Sequence, residues 1–453
     1  MSVLHLPKRL PKSAWITFSI AWIWVAGISA VCAQTNLHDP PIRYRETPGE
    51  NPVSELFAKL DRGEVVLNYE PGFGSLRSIL RSLDIPLSSQ ALVYSKTSLQ
   101  SGRISPANPR AIYFNDDVYV GWVRGSSLLE ISTADPHLGA AFYTVQMSPR
   151  GARTRRENDR CLACHQLPTD MDRIPGHTVR SVMTRDSGKI NLLLDHFVTG
   201  HTSPISQRWG GWYVTGDLGS AKHLGNAFLE GDRLIPTGSP NPSTLSERLE
   251  ISAWPTPHSD VVALMVMEHQ TQMHNQLTRA NFAVRRARHG DFSSGEGEPL
   301  AEDSPETSSR ETLDQVLDEA SKWVVDYLLF VDEAPLEEPV QGSNAFAAEF
   351  AARGPTDSEG RSLRDFDLTR RMFRYPCSYL IYSDAFDSLD QDLQQRVYQR
   401  LLDVLTERDA SPEYAHLSSQ DRAAILSILR QTKQNLPDDW GDHEEAPRDV
   451  TLP

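Results

Sequence analysis

The pattern of apolar and polar positions changes along the chain from strand-like runs to helical spacing. Short apolar runs rich in β-branched and aromatic residues predict strands. They lie at residues 65–69, 91–94, 140–145, 190–197, 211–215 and 226–230. Residues 111–123 predict a hairpin that turns at residues 115–117. Leucine and isoleucine recur at helical spacing within residues 74–83, which predicts a short helix there.

Beyond residue 259 the apolar period is that of helices. Ser259 is placed to cap a helix that ends at about residue 286, and residues 323–330 mark a second helix. Residues 388–391 (Ser-x-x-Gln) and 418–421 (Ser-x-x-Asp) have the spacing of capping boxes before two further helices. The sequence therefore predicts an α+β fold, with a β-rich N-terminal part and a helical C-terminal domain.

The N-terminus has the composition of an export signal. Three basic residues precede an uncharged, mostly apolar segment over residues 14–33, and Val31 with Ala33 forms an acceptable cleavage site. An uncleaved anchor over the same twenty residues is the alternative, whereas Val31 makes a poor context for lipidation of Cys32. We expect the mature protein to be periplasmic or otherwise exported.

Composition shifts then divide the chain. The acidic, Ser/Gly-rich stretch at 289–310 is nearly devoid of apolar residues, which predicts a disordered linker. The predicted parts are a signal peptide (1–33), a β-rich N-terminal domain (34–145), a central region (146–288), the linker (289–310), a helical C-terminal domain (311–436) and a disordered tail (437–453).

The pentapeptide Cys-Leu-Ala-Cys-His at residues 161–165 is the strongest chemical signal in the chain. The form C-x-x-C-H is that of covalent haem c attachment. Two thiols one short turn apart can add to the two vinyl groups of one porphyrin, and the adjacent histidine can serve as the fifth iron ligand. The motif predicts one haem c, bound through Cys161 and Cys164, with His165 on the proximal face of the iron in the central region.

Two other readings of the motif compete with haem. A zinc site needs a second Cys or His pair at close spacing, and no second C-x-x-C exists in the sequence. A thioredoxin-like dithiol has no use for His165 and needs a βαβ context. Both alternatives explain fewer of the residues than haem does.

The residue on the other face of the iron decides between electron transfer and ligand binding. After Met183 no methionine occurs until Met265, so the usual methionine ligand of small cytochromes is missing. Met265, His269 and Met273 lie four residues apart on one helical stripe. His269 is the first candidate for the distal ligand, followed by Met273 and His201; the competing interpretation is core packing. The interval also contains His177, His196 and His223.

The net charge of the chain limits which binding partners are expected. The net charge of −15 argues against nucleic acid and against anionic membrane surfaces. Five arginines nevertheless cluster just before the motif, and they could pair with haem propionates, steer an acidic redox partner, or form a solvated basic loop. These residues are Arg150, Arg153, Arg155, Arg156 and Arg160.

Two further groups of residues have a functional and a structural interpretation. Trp209, Trp212 and Tyr213 could wall a haem pocket or pack in the core. Export and haem attachment would leave Cys377 as the one free thiol, either a buried small residue or a reactive group beside basic side chains.

Residues 161–165 resemble the attachment site of c-type cytochromes. Four further segments are similar to exported bacterial proteins that carry a single haem motif and are described only as cytochrome c domain-containing. These segments are Arg-Ala-Ile-Tyr-Phe-Asn-Asp (110–116), His-Thr-Ser-Pro (201–204), Arg-Trp-Gly-Gly-Trp-Tyr-Val-Thr-Gly (208–216) and Tyr-Pro-Cys-Ser-Tyr (375–379). The resemblance implies haem binding and electron transfer, carried by Cys161, Cys164 and His165.

Together these features predict a periplasmic monohaem c-type cytochrome that passes electrons between redox protein partners. The alternative is a haem oxidoreductase, such as a peroxidase or a small-molecule dehydrogenase, with an open distal iron site. The chain is far longer than the binding of one haem requires, and for this reason an enzyme remains the alternative.

Overall fold

The computed structural model describes residues 36–168, 173–194, 196–231, 233–236, 238–294 and 305–441. The predicted signal peptide, the cleavage site and Met171 lie outside these residues. No helix within them is long and apolar enough to cross a membrane.

The N-terminal part is organised by one antiparallel sheet. Six strands follow each other in chain order as neighbours, each paired antiparallel to the last. They are β1 (Ala91–Val93), β2 (Arg110–Phe114), β3 (Val118–Val123), β4 (Leu128–Asp135), β5 (Gly139–Ser148) and β6 (Gly151–Arg156). The predicted hairpin is confirmed as β2–β3, because Phe114 pairs with Tyr119 across a turn at residues 115–117.

The remaining strands are short and form two-stranded ribbons. They are β7 (Gln166–Pro168), β8 (Arg173–Pro175), β9 (Arg180–Val182), β10 (His196–Val198), β11 (Gly216–Asp217), β12 (Ala227–Glu230), β13 (Arg233–Pro236) and β14 (Gln341–Gly342). β7 pairs with β8, and this ribbon directly follows the Cys-x-x-Cys-His segment.

Helices dominate the chain after residue 260. The helices are α1 (Pro52–Asp61), α2 (Leu76–Ser82), α3 (Leu162–His165), α4 (Val261–Ser294), α5 (Pro305–Leu328), α6 (Phe346–Ala351), α7 (Asp384–Asp387), α8 (Gln391–Leu405) and α9 (Ser419–Thr432). An N-terminal antiparallel sheet followed by C-terminal helices confirms the α+β prediction.

Successive residues of β3 show how the sheet separates two apolar cores. Val118, Val120 and Trp122 pack with α1 and α2 on one face, whereas Tyr119 points to the core that contains α4, α5, α8 and α9. This alternation follows from the two-residue period of a strand. The sheet therefore presents one face to the long helix α4.

α4 begins as a helix without a solvent-facing side. Its first seven residues, Val-Val-Ala-Leu-Met-Val-Met (261–267), are all buried. A helix that is apolar all round lies in the core. The polar residues that follow in the same helix are therefore carried into the interior.

The predicted caps were partly wrong. Asp260 caps α4, because its Oδ1 accepts from the amides of Val262 and Ala263 at 2.9 and 3.0 Å, while Ser259 donates to the Tyr213 carbonyl. The cap of α8 is Asp390 and not Ser388. The capping box at residues 418–421 is confirmed at the start of α9. In both helices that differ from the prediction, the cap is a short aspartate side chain one or two residues nearer the helix than the predicted serine.

Several predicted segments also differ from the structure. Residues 65–69 and 211–215 are not strands, and of the segment 190–197 only its end is strand, in β10. The predicted linker is helical at both ends, through residue 294 and from residue 305, and residues 295–304 lie outside the described chain. Trp440 is buried against Tyr398, so the predicted disordered tail begins with a packed turn. The division into domains stays a prediction.

Candidate functional site

The Cys-x-x-Cys-His segment forms one helical turn between the sheet and the β7–β8 ribbon. Cys161 stands at the start of α3, and its carbonyl accepts from the amides of Cys164 and His165 at 3.1 and 3.0 Å. Leu162 is buried and fixes this turn to the core of the sheet. Cys161 is half-buried and Cys164 is exposed, so a group attached to Cys164 is accessible from solvent.

His165 is held in one tautomer. Its Nδ1 lies 3.0 Å from the Gly176 carbonyl oxygen, and because a carbonyl can only accept, Nδ1 carries the proton. Nε2 is left with its lone pair, and no hydrogen bond reaches it from the described residues. The ring packs on Phe142 with centroids 4.8 Å apart. Burial lowers the pKa of His165, which keeps the imidazole neutral.

These residues fit a covalent haem c. Two thiols on one turn precede a neutral histidine whose Nε2 is unpaired and whose Nδ1 is oriented by a backbone carbonyl. A carbonyl on the second ring nitrogen is the usual partner of a metal-binding histidine. Cys161, Cys164 and His165 would hold the group.

The environment of Cys161 suits a dithiol enzyme less well. Burial, together with the carboxylates of Glu157 and Glu130, raises the pKa of the Cys161 thiol to about 12. A redox-active cysteine needs a low pKa, because the thiolate is the nucleophile. Cys161 is therefore a neutral thiol at physiological pH.

One asparagine of α4 fixes the loop that orients His165. Asn275 Oδ1 accepts from the His177 amide at 2.9 Å, and its Nδ2 donates to the His177 carbonyl at 2.7 Å. His177 follows Gly176, whose carbonyl holds His165. Asn275 is thus a positioning residue for the histidine of the motif.

Substitution of Asn275 by alanine is expected to cost about 1–3 kcal/mol in the free energy of unfolding, because two buried backbone groups of His177 lose their partner. Urea unfolding measures this loss. Asn281→Ala is the matched control: Asn281 lies on the same helix and donates to the Pro136 carbonyl. A smaller loss for Asn275→Ala than for Asn281→Ala would contradict this role.

A second cluster of polar residues lies in the interior, on α4. Glu268, His269 and Gln270 are completely buried. Glu268 Oε2 accepts from Arg208 Nη1 at 3.0 Å, and both side chains are at most 3 % exposed. Arg208 also donates to the carbonyls of Ser203 and His201. Burial raises the pKa of the Glu268 carboxyl, and the Arg208 guanidinium opposes that effect.

Both the nitrogen and the oxygen of the Gln270 side-chain amide form hydrogen bonds. Nε2 donates to the Asn115 carbonyl at 2.7 Å and to the Tyr119 hydroxyl at 2.8 Å, and Oε1 accepts from the Tyr379 hydroxyl at 2.6 Å. The Tyr119 hydroxyl also lies 3.3 Å from His274 Nδ1. The four segments noted in the sequence (110–116, 201–204, 208–216 and 375–379) each supply a contact to residues 268–270.

His269, the first candidate for the distal ligand, belongs to this buried cluster. Its Nδ1 lies 2.9 Å from His201 Nδ1, and its Nε2 lies 2.8 Å from the Ser378 hydroxyl. The ring stacks on Phe330 and Tyr327 at 4.3 and 5.4 Å. Iron binding by His269 would require breaking one of these hydrogen bonds, so the ligand role stays a prediction without support from this geometry.

His177 and His274 are the histidines placed near His165. His177 packs on Phe142, which also contacts His165, with ring centroids 6.2 and 4.8 Å apart. The rings of His177 and His274 are 5.9 Å apart, and neither Nε2 has a hydrogen-bond partner among the described residues. Met273, the second candidate ligand, is buried in the core. Sequence spacing did not single out His274.

The four most deeply buried histidines give stability a pH dependence. Burial lowers the pKa of His201 and of His274 to about 3, and it lowers the pKa of His177 and His269 as well. In the unfolded chain each titrates near 6.5. Below pH 6.5 the unfolded chain therefore takes up protons that the folded chain does not, and stability falls toward about pH 3.

His274→Gln is expected to flatten this dependence. The slope of the unfolding free energy against pH should fall by about 1.4 kcal/mol per pH unit between roughly pH 4 and 5.5, because one proton fewer is taken up on unfolding. Glu333, whose pKa burial raises to about 7, contributes with opposite sign in both proteins. Urea unfolding at a series of pH values measures the slope, and an unchanged slope would contradict a neutral buried His274.

The remaining candidate residues pack in the interior. Trp209 is fully buried in the helical core, Trp212 donates to the Arg180 carbonyl, and Tyr213 donates to the Pro106 carbonyl. Burial raises the pKa of the Cys377 thiol to about 12, which makes it an unreactive core residue.

The middle of the arginine cluster forms a strand: Arg153, Arg155 and Arg156 lie on β6, whereas Arg150 and Arg160 lie in turns on either side of it. Arg156 donates to the carbonyls of Tyr44 and Thr47, and Arg155 Nε lies 3.7 Å from Glu157 Oε1. The other three, Arg150, Arg153 and Arg160, are exposed.

No protein-family model matches the chain, and neither a curated protein nor a solved structure matches it. Within the described residues, no group of three or more His, Cys, Asp or Glu side chains is arranged to hold a metal ion.

Proposed function

We propose that this protein is an exported monohaem c-type cytochrome that binds haem covalently and transfers electrons between redox proteins. The observation that carries the proposal is the arrangement of Cys161, Cys164 and His165 on one turn, with the proton of His165 fixed on Nδ1 by the Gly176 carbonyl.

The residues around the motif support this function through position. Leu162 fixes the turn to the core, and Asn275 holds the loop that presents the Gly176 carbonyl. The hydrogen bond from Nδ1 to that carbonyl raises the basicity of Nε2, which favours a strong axial ligand. Bound haem would supply a one-electron couple between ferric and ferrous iron.

Electron transfer is favoured over catalysis by the packing of the interior. Glu268, His269 and Gln270 are completely buried, and two cavities that α4 helps to line have volumes of about 10 Å³ each, room for about one water molecule. Substrate pockets usually reach 300–1,000 Å³ and bury most of their ligand. The buried polar groups of α4 bind mainly to residues of other segments, such as Arg208 and Tyr379.

Absorption spectra of the purified oxidised and reduced protein test the proposal. We expect a haem c spectrum that is low-spin in both states and unchanged by carbon monoxide or peroxide. A spectrum without haem would contradict haem binding. High-spin iron that binds carbon monoxide and reacts with peroxide would contradict simple electron transfer. It would indicate instead a haem oxidoreductase with an open distal site.

A further inference from the structure

Four exposed arginines form a basic strip beside the haem motif. Arg153 and Arg155 lie two residues apart on β6 and therefore point to the same side of the sheet. Arg150 lies in the turn before β6, and Arg160 directly precedes Cys161. The side chain of Arg155 is 69 % exposed. We call these four residues the basic strip.

The basic strip lacks the carboxylates that neutralise other arginines of this chain. No ion pair reaches Arg150, Arg153 or Arg160 from the described residues, and Arg155 has only the distant contact to Glu157. Several exposed arginines elsewhere are paired, such as Arg45 with Asp159 at 2.6 Å and Arg62 with Glu64 at 2.5 Å. Unpaired positive charge is therefore concentrated locally in a chain of net charge −15.

Protection of a sheet edge explains only part of the strip. β6 is the last strand of the sheet, and charged residues on an edge strand hinder pairing with other chains. That role accounts for Arg153 and Arg155. It does not account for Arg150 and Arg160, which lie outside the strand.

The strip leads to the attachment site. β6 ends at Arg156, and the chain then reaches Cys161 within five residues. Cys164, on the same turn as Cys161, is exposed. A redox partner that approaches the group held by Cys164 therefore meets positive charge along this path.

We infer that the basic strip is the docking surface for an acidic redox protein, whose carboxylates pair with the four arginines while an electron is exchanged. The inference rests on the proposed function. At about 0.1 M ionic strength charges farther than about 10 Å are largely screened. The strip then outweighs the distant negative charges, and complementary charge accelerates encounter.

The test uses two variants of equal net charge. The strip variant replaces Arg150, Arg153, Arg155 and Arg160 by glutamine. The control variant replaces four exposed arginines of other elements by glutamine, whose side chains are 56–78 % exposed. These are Arg62, Arg81, Arg370 and Arg408.

Hexacyanoferrate(III) serves as the anionic probe in stopped-flow oxidation of the reduced protein at 0.1 M ionic strength. The probe accepts one electron and becomes hexacyanoferrate(II), with no bond or proton transferred. We expect the strip variant to react about tenfold more slowly than the wild type, and the control variant to stay within about twofold. With the cationic probe hexaammineruthenium(III), the strip variant should react faster than the wild type.

Equal slowing of both variants would assign the effect to net charge and overturn the inference, as would an unchanged strip variant. Binding of fluorescent polyglutamate, followed by anisotropy, needs no haem and should weaken about tenfold in the strip variant alone. A wild type that carries haem but gives no such difference would overturn the docking surface and leave the proposed function standing. A wild type without haem would overturn both.

Discussion

Replacement of Arg208 by alanine is expected to be the most destabilising single substitution in the interior, at about 3–5 kcal/mol of unfolding free energy. Arg208 and Glu268 are both buried and 3.0 Å apart. Removing one partner of such a pair leaves an uncompensated charge in the core. The loss also frees the carbonyls of Ser203 and His201, which Arg208 binds. Urea unfolding measures the change.

Two variants make this prediction specific. Arg288→Ala is the matched control, because Arg288 binds Asp390 and Asp392 but is 35 % exposed, and exposed pairs contribute about 1 kcal/mol or less. The double variant Arg208→Met, Glu268→Leu should recover most of the loss, since no charge is then left buried. A loss for Arg208→Ala no larger than that for Arg288→Ala would contradict a buried ion pair.

If the protein binds haem as proposed, replacement of His165 by glycine should leave haem attached through both cysteines and remove its proximal ligand. The oxidised protein should then lose its low-spin spectrum completely. Added imidazole should restore that spectrum, because the deletion leaves room for the missing ring beside Phe142. Absorption spectroscopy with and without imidazole measures both changes.

The control for His165→Gly is His196→Gly, at an exposed histidine of β10. This variant should keep the wild-type spectrum and should not respond to imidazole. A low-spin spectrum in His165→Gly without imidazole would contradict the assignment of His165 as the proximal ligand.

Local signals in the sequence predicted local structure well. The hairpin of β2 and β3, the strand β12 and the capping box of α9 are confirmed because each depends on residues close in sequence. Residues 65–69 have the composition of a strand but pair with no strand in the described part of the chain. β6 was missed because its arginines suggest a loop, whereas its pairing with β5 decides its conformation.

The motif at 161–165 is visible in the sequence because covalent haem attachment needs residues at fixed short spacing, and its haem-binding role stays a prediction. The tautomer of His165 could not, since it depends on the carbonyl of Gly176, eleven residues away. The buried cluster at Glu268–Gln270 joins residues more than 100 positions apart, such as Ser378. One signal was available: seven consecutive apolar residues open α4, which favours burial of the polar residues that directly follow them.

The most direct test of the central claim is the intact mass of the polypeptide after acid–organic extraction, which removes haem that is not covalently bound. The wild type and Cys377→Ala should carry the added mass of one haem. The double variant Cys161→Ala, Cys164→Ala should have the mass of the polypeptide alone. A wild type without the added haem mass would contradict covalent attachment at Cys161 and Cys164.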